Sequence, residues 1–172
     1  METTKNNLPE NTKQFFYKLS NYLDTKLYYF GSVQWPDYVA GKSDIDVDIF
    51  TDNEKSVMSK MQHFLHVKHS DFKPIIWIID DKQVYGYKIK YENEEENIVA
   101  EFFVYNEKFK DVIIKEHTDK FILPFYITIM LYILKLFHYT IPLLPNKQYN
   151  VYKRFIITKC LGRDYDKFII FE

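Results

Sequence analysis

The chain has 172 residues, 47% of them hydrophobic and 27% charged, with a net charge of −1 at pH 7. This length and apolar content predict a single domain with a sizeable core. Because the overall charge is close to zero, extended binding to nucleic acid is not expected. One cysteine, Cys160, excludes an internal disulfide, and the N-terminal residues lack the apolar segment of a secretory signal. We therefore expect a cytoplasmic protein without a membrane anchor, and its Lys-, Asn- and Ile-rich composition is typical of an AT-rich viral or microbial genome.

The first half of the chain alternates between predicted helices and strands. Residues 1–10 are polar and are expected to form a flexible tail. Hydrophobic periodicity then predicts a helix over 11–24, a buried strand over 27–30, a strand over 44–50, a helix that begins after Thr51 or Asp52, and an apolar strand over 73–81. This order is typical of a sheet that carries helices on its faces.

The second half begins with two more strands and ends in helices. Residues 84–90 and 98–105 read as paired strands around the acidic loop 91–97. A very apolar helix is predicted over 119–139 and a last helix over 148–161, ending at Gly162. The fold class is therefore α+β, with a mixed sheet in a core of residues 11–110 and a helical region over 111–172 packed on it.

Two clusters of potential metal ligands are not expected to bind metal. His63, His66 and His69 are spaced so that they drift around a helix, and no Cys or carboxylate completes a tetrahedral site. The acidic residues of the loop 91–97 lie on a predicted turn, where carboxylates are usually solvated.

A third acidic pattern lies on a predicted strand. In the segment "SDIDVDIF", Asp44, Asp46 and Asp48 alternate with aliphatic residues, so the three carboxylates share one face about 7 Å apart. Glu101 stands alone among apolar residues in "IVAEFFVY", where a charge is costly unless it is paired or bound to metal. Taken alone, the aspartates also fit an edge strand whose charges prevent aggregation.

These residues together match the requirements of phosphoryl chemistry. Two carboxylates on one strand face can bridge two divalent metals, which neutralise a triphosphate and align its α-phosphorus for attack. A third carboxylate can complete one metal site and help to deprotonate the attacking hydroxyl. A Gly followed by a Ser, as in Gly31-Ser32, lets backbone N–H groups approach phosphate oxygens while the hydroxyl adds a hydrogen bond.

The same residues resemble the signature of the nucleotidyltransferase superfamily typified by DNA polymerase beta. That signature is a hydrophobic residue, Gly-[Gly/Ser], a spacer, and then Asp-hydrophobic-[Asp/Glu]-hydrophobic. Here it reads Phe30-Gly31-Ser32, eleven intervening residues, and Asp44-Ile45-Asp46-Val47. The phrase "GKSDID" is similar to that of the minimal and antibiotic-modifying members of the superfamily. The resemblance covers roughly residues 27–105 and implies a nucleotidyltransferase-like mixed sheet flanked by helices.

The resemblance also implies roles for particular residues. Gly31 and Ser32, with Lys42 and Ser43, would bind the nucleotide, and Asp44 and Asp46 would be catalytic and bind two Mg²⁺ ions, or Mn²⁺. By position, Glu101 would be the third carboxylate, where the family more often has Asp. Asp46 and Asp48 fit the same pattern with a longer spacer, so the metal pair is Asp44/Asp46 or Asp46/Asp48. Where many relatives have an Arg after Gly-Ser, this chain offers only Lys42.

The implied activity is Mg²⁺-dependent transfer of a nucleoside monophosphate from a triphosphate such as ATP to an acceptor hydroxyl, with release of pyrophosphate. The acceptor would be a small molecule, a protein or an RNA end. Two alternatives remain open: a catalytically inactive interaction or antitoxin module with the same fold, and a small DNA polymerase. The missing Arg and the Glu at position 101 favour the first alternative, and the lack of a clustered basic surface disfavours the second.

The last predicted helix offers a replacement for the missing Arg. Lys147, Tyr149, Tyr152, Lys153 and Arg154 lie in its first turns. An Arg can hold two phosphate oxygens at once, so Arg154 is the candidate for the nucleotide contact. A basic face that is merely solvated is the alternative.

Overall fold

The computed structural model describes residues 1–35, 38–40, 43–120, 125–141, 144–161 and 168–171. Within these residues, six strands form one mixed sheet in the order β1-β2-β5-β4-β3-β6. The strands are β1 Leu27–Phe30, β2 Ile45–Thr51, β3 Lys73–Ile79, β4 Lys82–Asn93, β5 Ile98–Asn106 and β6 Phe168–Ile170. Strands β2 and β5 run parallel, and the other described neighbours pair antiparallel. The α+β class and the mixed sheet are confirmed.

The described helices cover both faces of this sheet. They are α1 Glu10–Leu23, α2 Glu54–Leu65, α3 Lys110–Lys120, α4 Phe125–Lys135 and α5 Asn146–Leu161. A π-helical turn, Leu136–Thr140, continues α4. None of the helices in the described part of the chain has the length and hydropathy needed to cross a membrane.

Strand alternation divides the core into two layers. On one face, Val47 and Phe102 are fully buried together with Leu19 of α1 and Met61 of α2. This layer forms because α1 and α2 present apolar stripes that match the apolar face of the central strands. The aspartates of β2 therefore lie on the opposite face.

The opposite face carries a second core under α3. Phe103 and Tyr105 of β5 pack there with Phe50 of β2, and Ile113 of α3 closes over them. α3 covers only part of this face, and the aspartates at the start of β2 lie on the same side of the sheet. This face holds the acidic residues singled out above.

The structure differs from the predicted elements at several points. The predicted helix over 119–139 is replaced by α3, which ends at Lys120, and α4, which begins at Phe125. Asn53, rather than Thr51 or Asp52, caps α2, because its side chain accepts a hydrogen bond from the Ser56 N–H. β6 was not predicted, since its three residues are defined only by pairing with β3. The end of α5 at Gly162 lies outside the described residues.

The first ten residues, predicted as a flexible tail, lie along β1 and the turn after it. The Tyr29 N–H donates to the Met1 carbonyl at 2.7 Å, and the Asn6 side chain donates to the carbonyls of Val33 and Trp35. Leu8 is buried in the core. These contacts place the N-terminal segment beside the turn that carries Gly31.

Candidate functional site

Three carboxylates meet where β2 and β5 lie side by side. Asp44 precedes β2, Asp46 is its second residue, and Glu101 of β5 is the register partner of Asp46 in the parallel pair. Residues directly opposite in neighbouring strands point to the same face. One oxygen from each of Asp44, Asp46 and Glu101 lies within 4.8 Å of the other two. In the part of the chain that the structure describes, no other such group of His, Cys, Asp or Glu occurs.

A tight turn after β1 brings Gly31 against this cluster. Gly31 has a φ of +65°, which is accessible to glycine at little cost. A Cβ at this position would lie 2.0 Å from Oδ2 of Asp46. Both the backbone conformation and the close approach therefore require glycine here, and the missing side chain makes room for the Asp46 carboxylate.

Ser32 and Ser43 hold the loop that leads to Asp44. The Ser32 hydroxyl donates to the carbonyl of Asp44 at 2.9 Å. Ser43 is buried, its Oγ accepts from the Val39 N–H at 3.2 Å, and its own N–H donates to the Val39 carbonyl at 2.9 Å. These bonds fix the backbone on both sides of the acidic residue, so the two serines expected to touch nucleotide position the loop in this structure.

We expect Gly31→Ala to remove metal binding at the cluster. The added methyl group must displace the Asp46 carboxylate, and the strained φ should cost about 1–3 kcal/mol of unfolding free energy. Gly86→Ala is the comparison, because a Cβ there would lie 2.5 Å from the Tyr105 ring, away from the acidic cluster. Urea unfolding with and without Mn²⁺ should show that both variants lose stability but that only Gly31→Ala loses stabilisation by Mn²⁺. Equal Mn²⁺ stabilisation in both would contradict the role given to Gly31.

The electrostatics of the cluster favour a bound cation. Burial raises the pKa of the Asp46 carboxyl well above its ordinary value of 3.8, and the charges of Asp44 and Glu101 raise it further. Lys153 and Lys88 act in the opposite direction on the same pKa. Three carboxylates are a hard oxygen donor set, which suits Mg²⁺ or Mn²⁺ rather than a thiolate-preferring metal. The residues present therefore fit the divalent ions that the motif implies.

Lys88 of β4 contacts the acidic cluster, and it was not among the residues predicted from the sequence. Its Nζ lies 2.7 Å from Oε2 of Glu101, and both side chains are 19% exposed. Lys88 and Lys90 alternate with apolar residues in β4, which pairs antiparallel with β5. That alternation is a signal that could have placed both lysines on the face of Glu101. The ion pair neutralises one of the three carboxylates.

Lys88→Met is expected to lower stability without metal and to increase the response to metal. Without the lysine, Glu101 adds an unneutralised charge to two neighbouring carboxylates, and a partly buried pair that loses one partner costs about 1–3 kcal/mol. The same change frees Glu101 for a cation, so Mn²⁺ should raise the melting temperature more than in the unaltered protein. Lys26→Met, which breaks the more exposed pair with Glu2, serves as the matched control. A reduced Mn²⁺ response in Lys88→Met would contradict a competition between Lys88 and metal.

The remaining predicted residues are distributed as follows. Lys42 lies outside the described residues. Arg154 is exposed on α5, whereas Lys153 is partly buried, lies near the Tyr149 ring and lowers the pKa of Asp46. Lys153 thus acts electrostatically on the acidic cluster.

Asp48 lies deeper on the same face and outside the cluster. It is fully buried, and its Oδ2 is 2.9 Å from Nε2 of His117 on α3. His117 stacks on Phe30 with a ring separation of 4.0 Å. Asp48 therefore links β2 to the covering helix, while Asp44 and Asp46 group with Glu101.

Comparison of the chain with models of protein families, with curated protein sequences and with solved structures finds no match. The basis for a functional assignment is therefore the motif and the arrangement of its residues. Gly31, Asp44, Asp46 and Glu101 lie together on one side of the sheet, next to Lys88 and within the electrostatic reach of Lys153.

Proposed function

We propose that the protein is a nucleotidyltransferase, which transfers a nucleoside monophosphate from a nucleoside triphosphate to an acceptor hydroxyl. The observation that carries the proposal is the convergence of Asp44, Asp46 and Glu101 on one face, with Gly31 packed against Asp46. The residues selected by their spacing in the sequence are also residues that lie close together in the fold. A solvated strand face would not need a glycine in a left-handed conformation to accommodate one of its carboxylates.

Each residue has a distinct role in this reaction. Asp44, Asp46 and Glu101 would hold Mg²⁺ or Mn²⁺, which supplies charge neutralisation for the triphosphate. Glu101 is also placed to accept the proton of the attacking hydroxyl once Lys88 has moved away. The acceptor oxygen then bonds to the α-phosphorus, the bond from that phosphorus to the bridging oxygen breaks, and pyrophosphate leaves. Gly31 leaves room for the Asp46 carboxylate beside the turn.

Many relatives contact phosphate through an Arg that follows Gly-Ser, and this chain lacks that Arg. We assign the phosphate contact to Lys153 instead. The positive charge of Lys153 acts on Asp46, so it would also act on a phosphate held beside that carboxylate. Arg154 remains a candidate, since its side chain is exposed on the same helix.

We expect Lys153→Ala to weaken binding of a nucleoside triphosphate about tenfold, which corresponds to about 1.4 kcal/mol. Arg154→Ala, its neighbour in sequence, carries the same charge change and should weaken binding less. Calorimetric titration with each triphosphate in the presence of Mg²⁺ measures both. If the affinity is unchanged in both variants, neither Lys153 nor Arg154 of α5 contacts the nucleotide.

The proposal is tested by incubating the protein with each of the four ribonucleoside triphosphates, labelled in the α-phosphate, with Mg²⁺ or Mn²⁺. We expect release of pyrophosphate and transfer of the label to an acceptor. The acceptors to be tested are small hydroxyl compounds, proteins and RNA ends. The absence of both transfer and calorimetric binding for all four triphosphates would overturn the proposal.

One observation favours a second candidate, a non-catalytic module with the same fold. Lys88 already neutralises Glu101, and a permanent ion pair there would leave no third carboxylate for a metal. Triphosphate binding without pyrophosphate release, in the presence of the same acceptors, would support this candidate instead.

A further inference from the structure

Helix α4 is apolar on its outer face as well as on its inner face. Its inner side chains Ile127 and Leu131 are buried against Trp35 and Ile156. On the outside, Phe125, Ile129, Tyr132 and Leu136 form one row, and they are between 37% and 77% exposed. A helix that is apolar all round is ordinarily buried in a larger assembly or in a membrane.

A second row lies beside the first. Tyr126, Met130, Ile133 and Phe137 are spaced in the same way, and each is between 38% and 53% exposed. Both rows have steps of four, three and four residues, which is the spacing of the contact positions in packed helices. We call these two rows together the outer face of α4, although their last residues, Leu136 and Phe137, lie in the π-helical turn that continues the helix. It contains no charged residue.

We propose that the outer face of α4 is the interface through which two copies of this chain form a symmetric dimer. An uncharged apolar face is complementary to itself, so a two-fold axis through its middle buries the same rows from both copies. A charged partner would require opposite charges on this face, and it offers none. The face lies on a helix that is separate from the acidic cluster, so this proposal does not depend on the proposed reaction.

The exposed area matches what a stable dimer needs. Side chains of this kind present about 150–250 Å² each when fully exposed, so the exposed fractions of the eight residues correspond to roughly 700 Å². Specific interfaces bury about 800 Å² per partner, whereas the largest apolar patch on a typical monomer measures about 300–600 Å². The outer face of α4 therefore exceeds an ordinary surface patch and approaches the size of a standard interface.

A membrane surface fits the same face less well. Helices that lie on membranes carry Lys and Arg on the side opposite to their apolar stripe. In α4 that opposite side packs on Trp35 and Ile156, and its one lysine, Lys135, is buried. α4 has only 11 residues, which is too short to span a bilayer.

The test measures the molar mass of the full chain by light scattering after size-exclusion chromatography, over about a hundredfold range of concentration. The expected mass at the upper end is twice the 20.9 kDa of one chain. Ile129→Glu/Ile133→Glu should give the mass of one chain with an unchanged circular-dichroism spectrum. Tyr17→Glu/Tyr85→Glu adds the same number of carboxylates at exposed aromatic positions outside the face and should remain dimeric.

A cross-link gives a second readout that does not require the double-glutamate variant to fold. Met130→Cys with Cys160→Ser places one thiol near the middle of the face, and mild oxidation should produce a disulfide-linked dimer. Tyr17→Cys in the same background should not. The proposal is overturned if the unaltered protein stays at the mass of one chain and the Met130→Cys/Cys160→Ser variant does not cross-link. If the unaltered protein instead sediments with neutral phosphatidylcholine vesicles, the face belongs to a membrane surface and the proposal is equally overturned.

Discussion

Replacing both Asp44 and Asp46 with Asn is expected to lower nucleotidyl transfer at least a thousandfold, because the divalent ions lose their anionic ligands. A loss of this size corresponds to about 4 kcal/mol of transition-state stabilisation, which is what metal-assisted charge neutralisation typically supplies. The measurement is the initial rate of pyrophosphate release at saturating triphosphate and Mg²⁺. Asn has nearly the same shape as Asp, so the fold should persist.

Glu94→Gln/Glu95→Gln is the matched control for this double variant. It also removes two negative charges, but from the exposed loop between β4 and β5. Its rate should be that of the unaltered protein. If Asp44→Asn/Asp46→Asn retains activity, these residues are not the metal ligands of the reaction, whether or not the protein binds nucleotide.

The same double variant should be more stable than the unaltered protein when no metal is present. Asp46 is costly to ionise because it is partly buried beside two other carboxylates, and its pKa is therefore raised above 3.8. Replacing residues that serve function at the expense of stability typically raises the unfolding free energy by about 0.5–2 kcal/mol. Urea unfolding with a chelator present measures this gain, and added Mn²⁺ should reverse the order of stability.

The raised pKa also sets the direction of a pH dependence. The folded protein binds the Asp46 proton more tightly than the unfolded chain does, so the contribution to stability is fully present below pH 3.8. It is lost as the pH rises through the higher pKa of the folded state. We expect this fall in the unaltered metal-free protein and not in the Asp46→Asn variant. Mn²⁺ affinity should rise over the same interval, because the metal competes with the proton.

Part of this site is encoded locally and could be predicted from the sequence. The alternation of Asp44, Asp46 and Asp48 with aliphatic residues specifies a strand and its polar face without reference to the rest of the chain. The isolated Glu101 in an apolar run carries its own signal, since a charge there needs a partner. Both strands are confirmed, and the register between β2 and β5 places Asp46 opposite Glu101.

Other features depend on tertiary packing and could not be predicted in this way. The pairing of Lys88 with Glu101 follows from the register of β4 against β5, which no local pattern specifies. α3 is mostly polar, and its helical state is supported by Ile113 closing over the second core. The helix predicted over 119–139 corresponds to the end of α3 and to α4, since hydrophobic periodicity alone does not fix the bounds of an element.

His117→Leu is expected to cost about 3–5 kcal/mol of unfolding free energy, the largest stability effect we predict. Leu fills a similar volume, but it leaves the fully buried Asp48 carboxylate without the imidazole that lies 2.9 Å away. Removing the imidazole leaves the Asp48 carboxylate desolvated and without this contact, and a loss of this kind in a fully buried site has this magnitude. Burial raises the pKa of the Tyr105 hydroxyl, and the negative charge of Asp48 raises it further.

Two further variants separate this effect from a simple packing defect. Asp48→Leu/His117→Leu removes both polar groups and should recover much of the lost stability, since apolar replacements of buried pairs are often neutral. Lys110→Met breaks the more exposed pair with Glu107 and should cost less than about 1 kcal/mol. If His117→Leu and the double variant unfold at the same urea concentration, the contact between Asp48 and His117 does not stabilise the fold.

The position of His117 also predicts a consequence at the acidic cluster. Its ring stacks on Phe30, and Phe30 directly precedes Gly31, whose turn makes room for Asp46. His117→Leu should therefore weaken Mn²⁺ binding under conditions in which the variant is still fully folded. Asp48→Leu/His117→Leu removes the unpaired carboxylate but still lacks the imidazole that stacks on Phe30, so its stability should recover while its Mn²⁺ affinity stays reduced. Recovery of both together would show that the buried pair supports the sheet but does not position the turn.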